Sequence, residues 1–203
     1  MNEASPTIFE ISSSPLPNSY FQPIMTEFVG TNRSQAICGV PEFALNASDP
    51  DTVRNTLSRV GTSFFWTCAK QANALKYANQ ANVYLYEVLL GCTHPDNGGD
   101  SLCTSNGEVC HQDDIPLTFG TCGSPTSQQT ALSNEIMARW TAFAANGNPN
   151  IPGPGKAKWG KVSGSTSLNA LRLSPNVVVN QTLYADLCGP VFGNTVLFNF
   201  QIY

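Results

Sequence analysis

The run Asn82-Val83-Tyr84-Leu85-Tyr86-Glu87-Val88-Leu89-Leu90 is the strongest constraint on the fold of this chain, and it stops at Gly91. β-Branched and aromatic side chains pack well on a pleated surface, so the run predicts a strand over 82–90. It is nearly continuously apolar rather than alternating. A strand of that kind is buried on both faces, as in a parallel sheet covered by helices. Helical patterns flank it in sequence.

The flanking segments supply them. Asp49-Pro50-Asp51 opens a helix carrying Val53, Leu57 and Val60, and Thr62 or Ser63 caps a second that bears Phe65, Cys68, Ala69, Ala72 and Leu75 at helical spacing. Ser124-Pro125 places a capping side chain before a proline, starting a helix through Leu132, Ile136, Trp140 and Phe143 that ends at Asn146-Gly147. Trp66, Trp140 and Phe143 read as core anchors on these faces. Leu168–Leu173 reads as a short strand and Thr195–Tyr203 as a terminal strand or extended tail. Residues 1–24, with Ser12-Ser13-Ser14-Pro15-Leu16-Pro17-Asn18-Ser19, read as an irregular loop. The fold class is α/β, with a few strands of a mostly parallel sheet.

Composition narrows the setting. The 203 residues are 41% hydrophobic, enough for a core that buries roughly 70% of the unfolded surface. Charged residues make up 12% and the net charge is −4, so no basic stripe exists to displace counterions from nucleic acid. Seven cysteines, with Cys92, Cys103, Cys110 and Cys122 close together, suit an oxidising compartment. The sequons Asn32-Arg33-Ser34, Asn46-Ala47-Ser48 and Asn180-Gln181-Thr182 point the same way, and the expected location is extracellular. Residues 1–30 contain no signal peptide, and the odd cysteine count leaves one thiol over. Loss of an N-terminal portion accounts for both. No apolar run reaches the roughly 20 residues of a spanning helix.

Between the strand and the last helix lies a long segment, 91–124, with His111 near its end in Cys110-His111-Gln112-Asp113-Asp114-Ile115-Pro116-Leu117-Thr118-Phe119-Gly120. Loops of that length are usually functional or stapled. A loop histidine beside carboxylates is a candidate general base, and equally a solvated or structurally bonded side chain. Cys92, Cys103, Cys110, His111 and His94 can also be drawn as a zinc site, but their spacing fits no common pattern and disulfides are preferred. Cys92–Cys103 and Cys68–Cys110 are reasonable pairings, although sequence does not determine connectivity. No metal and no organic cofactor are expected.

Phe64-Phe65-Trp66-Thr67-Cys68, Val83-Tyr84-Leu85-Tyr86, the His111–Gly120 string, Trp140-Thr141-Ala142-Phe143-Ala144-Ala145-Asn146-Gly147-Asn148-Pro149-Asn150 and Cys188-Gly189-Pro190-Val191-Phe192 together resemble the C-terminal part of type-B carboxylesterases and lipases, in order and spacing, over about residues 60–192. The resemblance implies the C-terminal portion of an α/β-hydrolase fold: a single partial domain over 1–203, with a lead-in over 1–60 and an esterase-like core over 61–203. It also implies cleavage of carboxylic esters or lipids through an acyl-enzyme by a Ser–Glu/Asp–His triad.

His111 corresponds to the catalytic histidine of such enzymes. Asp114 falls at an acidic position of the histidine motif, with a turn-orienting or capping role. Glu3, in Asn2-Glu3-Ala4-Ser5-Pro6-Thr7-Ile8-Phe9, loosely matches the triad acid, against the plainer reading of a solvated terminal carboxylate. No G-x-S-x-G nucleophile elbow occurs in the 203 residues, and Val162-Ser163-Gly164-Ser165-Thr166-Ser167 reads as a turn. The chain alone is therefore expected to be nearly inert. The competing class is a non-catalytic remnant, or a cholinesterase-like binding module. A truncated parallel sheet would expose an unpaired, apolar strand edge, which predicts aggregation or association.

Overall fold

The computed structural model describes residues 3–105, 109–163, 167–180 and 188–192. The described residues divide into two compact units, one formed by 3–73 with 188–192 and the other lying within 74–180.

The first unit is helical: α1 (Ser5–Ile11), α2 (Phe21–Val29), α3 (Thr31–Cys38), α4 (Thr52–Gly61), and α5 (Cys68–Tyr77), which carries the chain onward. Of the segment 1–24 read as an irregular loop, the described residues 3–24 are thus largely helical. Pro6 stands in the first turn of α1, where its missing N–H costs nothing, and Phe21 and Met25 at helical spacing bury one face of α2. The prolines between the two helices punctuate them. The helix start at 49–51 holds, but Asp51 at the N-cap makes no capping bond; its carboxylate pairs with Arg54, while Asp49 accepts from the Asp51 N–H at 2.9 Å.

No cap divides α4 from α5. Thr62–Thr67 is a π-helical segment joining them, so Thr62 continues a helix instead of starting one, and its hydroxyl accepts from the Ala4 N–H at 3.0 Å. The extra residue of a π turn shifts the helical phase, which turns Phe65 outward to 48% exposure while Cys68 is buried. Ile37, Phe43, Val53, Leu57 and Phe192 form the core of this unit, closed covalently by Cys68–Cys188.

The second unit holds α6 (Ser101–Ser105), α7 (Ile115–Phe119), α8 (Ser127–Asn146) and a sheet of β1 (Tyr86–Val88), β2 (Ala170–Leu173) and β3 (Val178–Asn180) in the order β1-β2-β3. β1 and β2 run parallel, with Tyr86 opposite Leu171, and β2 and β3 run antiparallel. The regular strand is shorter than 82–90: its ladder to β2 is bounded by Leu171 N–H donating to Leu85 O at 2.9 Å and Leu89 N–H donating to Leu173 O at 2.8 Å, and before it Val83 O accepts from Val162 N–H at 2.9 Å. Leu85 O also accepts from the buried Trp159 indole at 3.1 Å. Glu87 is buried on the strand and receives the Arg172 guanidinium at 2.9 Å from the facing position on β2, so the polar residue of the run is paired.

α8 begins two residues later than Ser124-Pro125 suggests. Thr126 is the N-cap, in a reciprocal capping box with Gln129, and Gly147 closes the helix at φ 70°. Trp140 packs edge-on to Tyr86 with ring centroids 5.0 Å apart. Phe143 is not a core anchor: it is 45% exposed and lies against Tyr84. The Thr195–Tyr203 strand lies outside the described residues.

Arg139, fully buried on α8, donates to Glu135 and to the carbonyls of Pro149 and Ala157, and Lys156 reaches the same carboxylate at 2.7 Å. Burial pushes the Glu135 carboxyl up, but the bonds from Lys156 and Arg139 and their charge outweigh it and hold the group below the ordinary range. A lowered folded-state value contributes stability that is complete above the unfolded value and lost as pH falls through the folded one. Denaturation midpoints should therefore drop in the acid range below the ordinary glutamate value, and Lys156→Met should flatten that drop. Identical acid profiles for the two proteins would show that the cluster carries no pH-dependent stability.

Candidate active site

His111 is exposed at a turn whose backbone is fixed on both sides. On the N-terminal side, Cys110 is buried, bonded to Cys103, and donates its N–H to Asp113 Oδ2 at 2.8 Å. On the other, Gln112 adopts the left-handed conformation at φ 71°, and its carbonyl accepts from Ile115 N–H at 2.9 Å. The His111 carbonyl itself accepts from Asn97 Nδ2 at 2.6 Å.

Asp113 organises this turn. It is 1% exposed, and its Oδ1 accepts from the His94 N–H at 2.7 Å and from Asn97 Nδ2 at 2.8 Å. With Cys110, three donors converge on one buried carboxylate. The Asp113 carbonyl accepts from Cys92 N–H at 2.9 Å. That close approach needs Gly91, since a Cβ there would stand 2.8 Å from the Asp113 Cβ and 3.2 Å from Val109 Cγ1. Gln129, the second member of the α8 capping box, donates its side chain to Gly91 O at 2.7 Å, and Ser133 Oγ donates to Leu117 O at 2.6 Å. The end of β1, the histidine turn and α8 are thus tied together by named bonds.

Asp113 is the functional-site residue that sequence reasoning misses. The motif offers two adjacent acids and draws attention to Asp114, which stands at the N-cap of α7 without a side-chain capping bond; its carbonyl accepts from Thr118 N–H. No local signal marks Asp113: its donors come from residues 94, 97 and 110, and only the last lies within the motif.

Other assignments change. Cys92 pairs with Cys122 and Cys103 with Cys110, while Cys68 pairs with Cys188, so neither Cys92–Cys103 nor Cys68–Cys110 forms. Cys68 and Cys188 belong to one unit and Cys110 to the other, and the Cys103–Cys110 ring closes locally. Ligand atoms of Asp100, Cys103 and Cys110 lie within 4.8 Å of one another, but those two sulfurs are bonded to each other and offer no thiolate. His94 Nδ1 accepts from Asp96 N–H at 3.3 Å within its own turn. Cys38 is the free cysteine, and burial pushes its thiol pKa up, against a bond from Ser34 that lowers it.

Glu3 lies in the helical unit. It is 8% exposed, with Oε1 3.6 Å from Lys70 Nζ, so it is a buried, paired carboxylate rather than a solvated terminal one. Ser163 and Ser167 exchange backbone bonds across a small antiparallel bridge, and residues 164–166 between them lie outside the described residues.

The carboxylesterase family model matches residues 24–189, which include the whole histidine turn. The chain belongs to the carboxylesterase family. It is 34% identical over 80 residues to the medium-chain fatty acyl-CoA hydrolase precursor of Anas platyrhynchos, an alignment that covers 38% of this chain and 13% of that protein. It is 26% identical over 124 residues to the acylcarnitine hydrolase of Rattus norvegicus, covering 57% and 21%. Among solved structures, a PNB esterase superposes with a TM-score of 0.67 at 16% identity, over 94% of this chain and 36% of that one. A thermophilic PNB esterase gives 0.66 with the same identity and coverage. The fold is thus part of an α/β-hydrolase fold, as in these esterases. The chain spans between about an eighth and about a third of the length of these relatives.

An Asp113→Asn exchange sets an amide nitrogen against a donor now satisfied by carboxylate. It should cost about 1–3 kcal/mol by urea titration, the penalty of a buried unpaired donor, and should speed exchange of the Cys110 amide. A stability and an exchange rate equal to wild type would remove Asp113 as the organiser of the turn.

Proposed function

We propose that this chain supplies the histidine of a serine carboxylesterase acting on carboxylic esters, with His111 as the general base. The observation that supports the reading is an exposed imidazole on a doubly stapled, carboxylate-closed turn inside the region matched by the carboxylesterase family. Catalysis by proton transfer needs an accessible base held in one place, and this turn meets both demands.

In the complete enzyme, His111 takes the proton of the serine as it attacks the ester carbonyl, and returns it to the leaving alkoxide. It then takes a proton from the water that releases the acid. The serine is not among these 203 residues in any G-x-S-x-G segment, so the chain by itself turns over esters at a negligible rate. Glu3 is the acid assignment carried by resemblance; in that role its charge stabilises the imidazolium. β1, at one edge of the described sheet, is where association through an exposed strand would occur. Three disulfides and family membership favour an extracellular setting.

The test uses a fluorophosphonate probe and p-nitrophenyl butyrate. The 203-residue chain should take no label and show no turnover above buffer. In a parent enzyme that carries the serine, His111→Gln should lower kcat by at least about 10³-fold. Labelling of a serine within this chain would sink the claim that the nucleophile lies elsewhere, and an unchanged kcat would favour the non-catalytic reading. In the same parent, Glu3→Gln should cut turnover strongly; unchanged turnover rejects that acid and leaves His111 standing.

A further inference from the structure

The three N-x-S/T triplets are not equivalent in the fold. In Asn32-Arg33-Ser34, on α3, the Asn32 side chain is exposed but Ser34 is fully buried, and its Oγ accepts from Gln22 Nε2 at 2.6 Å and lies 3.4 Å from Thr26 Oγ1. The hydroxyl that the modifying enzyme must read is turned into the protein and already engaged. Asn32 also has helical backbone, which holds the hydroxyl two residues on away from its own amide.

Asn46-Ala47-Ser48 is the opposite case. All three residues are exposed. They form a side-chain-closed turn in which Asn46 Oδ1 accepts from the Ser48 N–H at 3.0 Å, while Asp49 N–H donates to Asn46 O at 3.0 Å. The turn is braced from one side: Asn46 N–H donates to Thr52 Oγ1 at 2.7 Å. Hydrogen bonding at Oδ1 draws electron density from the amide and makes its N–H more acidic, and Asn46 Nδ2 has no acceptor among the described residues. The third triplet, Asn180-Gln181-Thr182, extends outside the described residues.

We propose that Asn46 is an N-glycan acceptor and that Asn32 is not. The co-reactant is an oligosaccharide linked to a lipid through pyrophosphate. Asn46 Nδ2 attacks the anomeric carbon, the Nδ2–C1 bond forms, the C1–O bond to pyrophosphate breaks, one amide proton leaves to base, and the lipid pyrophosphate departs. Disulfide formation and this transfer share the same oxidising compartment. The glycan projects from the 46–49 turn of the helical unit, and its presence does not depend on which residues perform ester chemistry.

Trypsin separates the two sites, since cleavage after Arg33 and Arg54 leaves Asn32 in the peptide that ends at Arg33 and Asn46 in residues 34–54. The protein purified from its natural source is treated with peptide N-glycosidase in heavy-oxygen water, digested, and sequenced by mass spectrometry. The expected result is conversion of Asn46 to oxygen-labelled Asp with Asn32 unlabelled. Label at Asn32, or no label at Asn46, overturns the proposal.

Discussion

The Asp113 carboxylate is the constraint on which the candidate site depends. Removing a carboxylate from water costs several kcal/mol, and that cost is offset only if its oxygens are well satisfied. Here two backbone N–H groups and one side-chain amide converge on it. Bonds to a charged acceptor are worth about 1.5–3 kcal/mol each, so three of them meet the desolvation cost without a cation. The donors come from residues 94, 97 and 110, so one side chain fixes the geometry of a segment that has little regular structure of its own.

That arrangement lets His111 be exposed and positioned together. Exposure usually implies rotational freedom, because a surface residue has few neighbours to limit its backbone. Here the limits act on the main chain: the disulfide at Cys110, the left-handed Gln112, and the Asn97 bond to the His111 carbonyl. The side chain remains accessible to a substrate while its Cα is held. For the general base proposed above, a displacement of an ångström costs about 10²-fold in rate, so a turn held by this many bonds suits that role.

Much of this was legible in the sequence where one local signal dominates. The β-rich run gave a strand with a parallel neighbour, the αL glycine at 147 ended the long helix, and the His111 string carried the family resemblance. What was illegible depended on comparison across the chain. The π-helical turn at Thr62–Thr67 has no local signature, and Phe65 within it is exposed against the periodicity. Thr126 beat Ser124 as the cap because Gln129 stands three residues after it and completes a reciprocal pair. Prolines at 15 and 17 masked two short helices whose apolar faces are plain only once their core exists. Disulfide partners follow three-dimensional neighbourhood, which cysteine spacing does not encode.

The disulfides divide two physical tasks. Cys68–Cys188 joins residues 120 apart in sequence, so it removes much entropy from the unfolded chain and acts mainly on stability. Cys103–Cys110 joins residues seven apart and removes far less, yet it ends beside His111. Cys92–Cys122, with a separation of 30, brackets the whole histidine segment between the end of β1 and the start of α8. In the chain-entropy picture the stabilisation grows only with the logarithm of loop length, so moving a staple from a long loop to a short one sacrifices on the order of 1–2 kcal/mol. Two of the three staples are set around the histidine rather than across the chain. Their placement follows the demand for a fixed turn better than the demand for the largest loop.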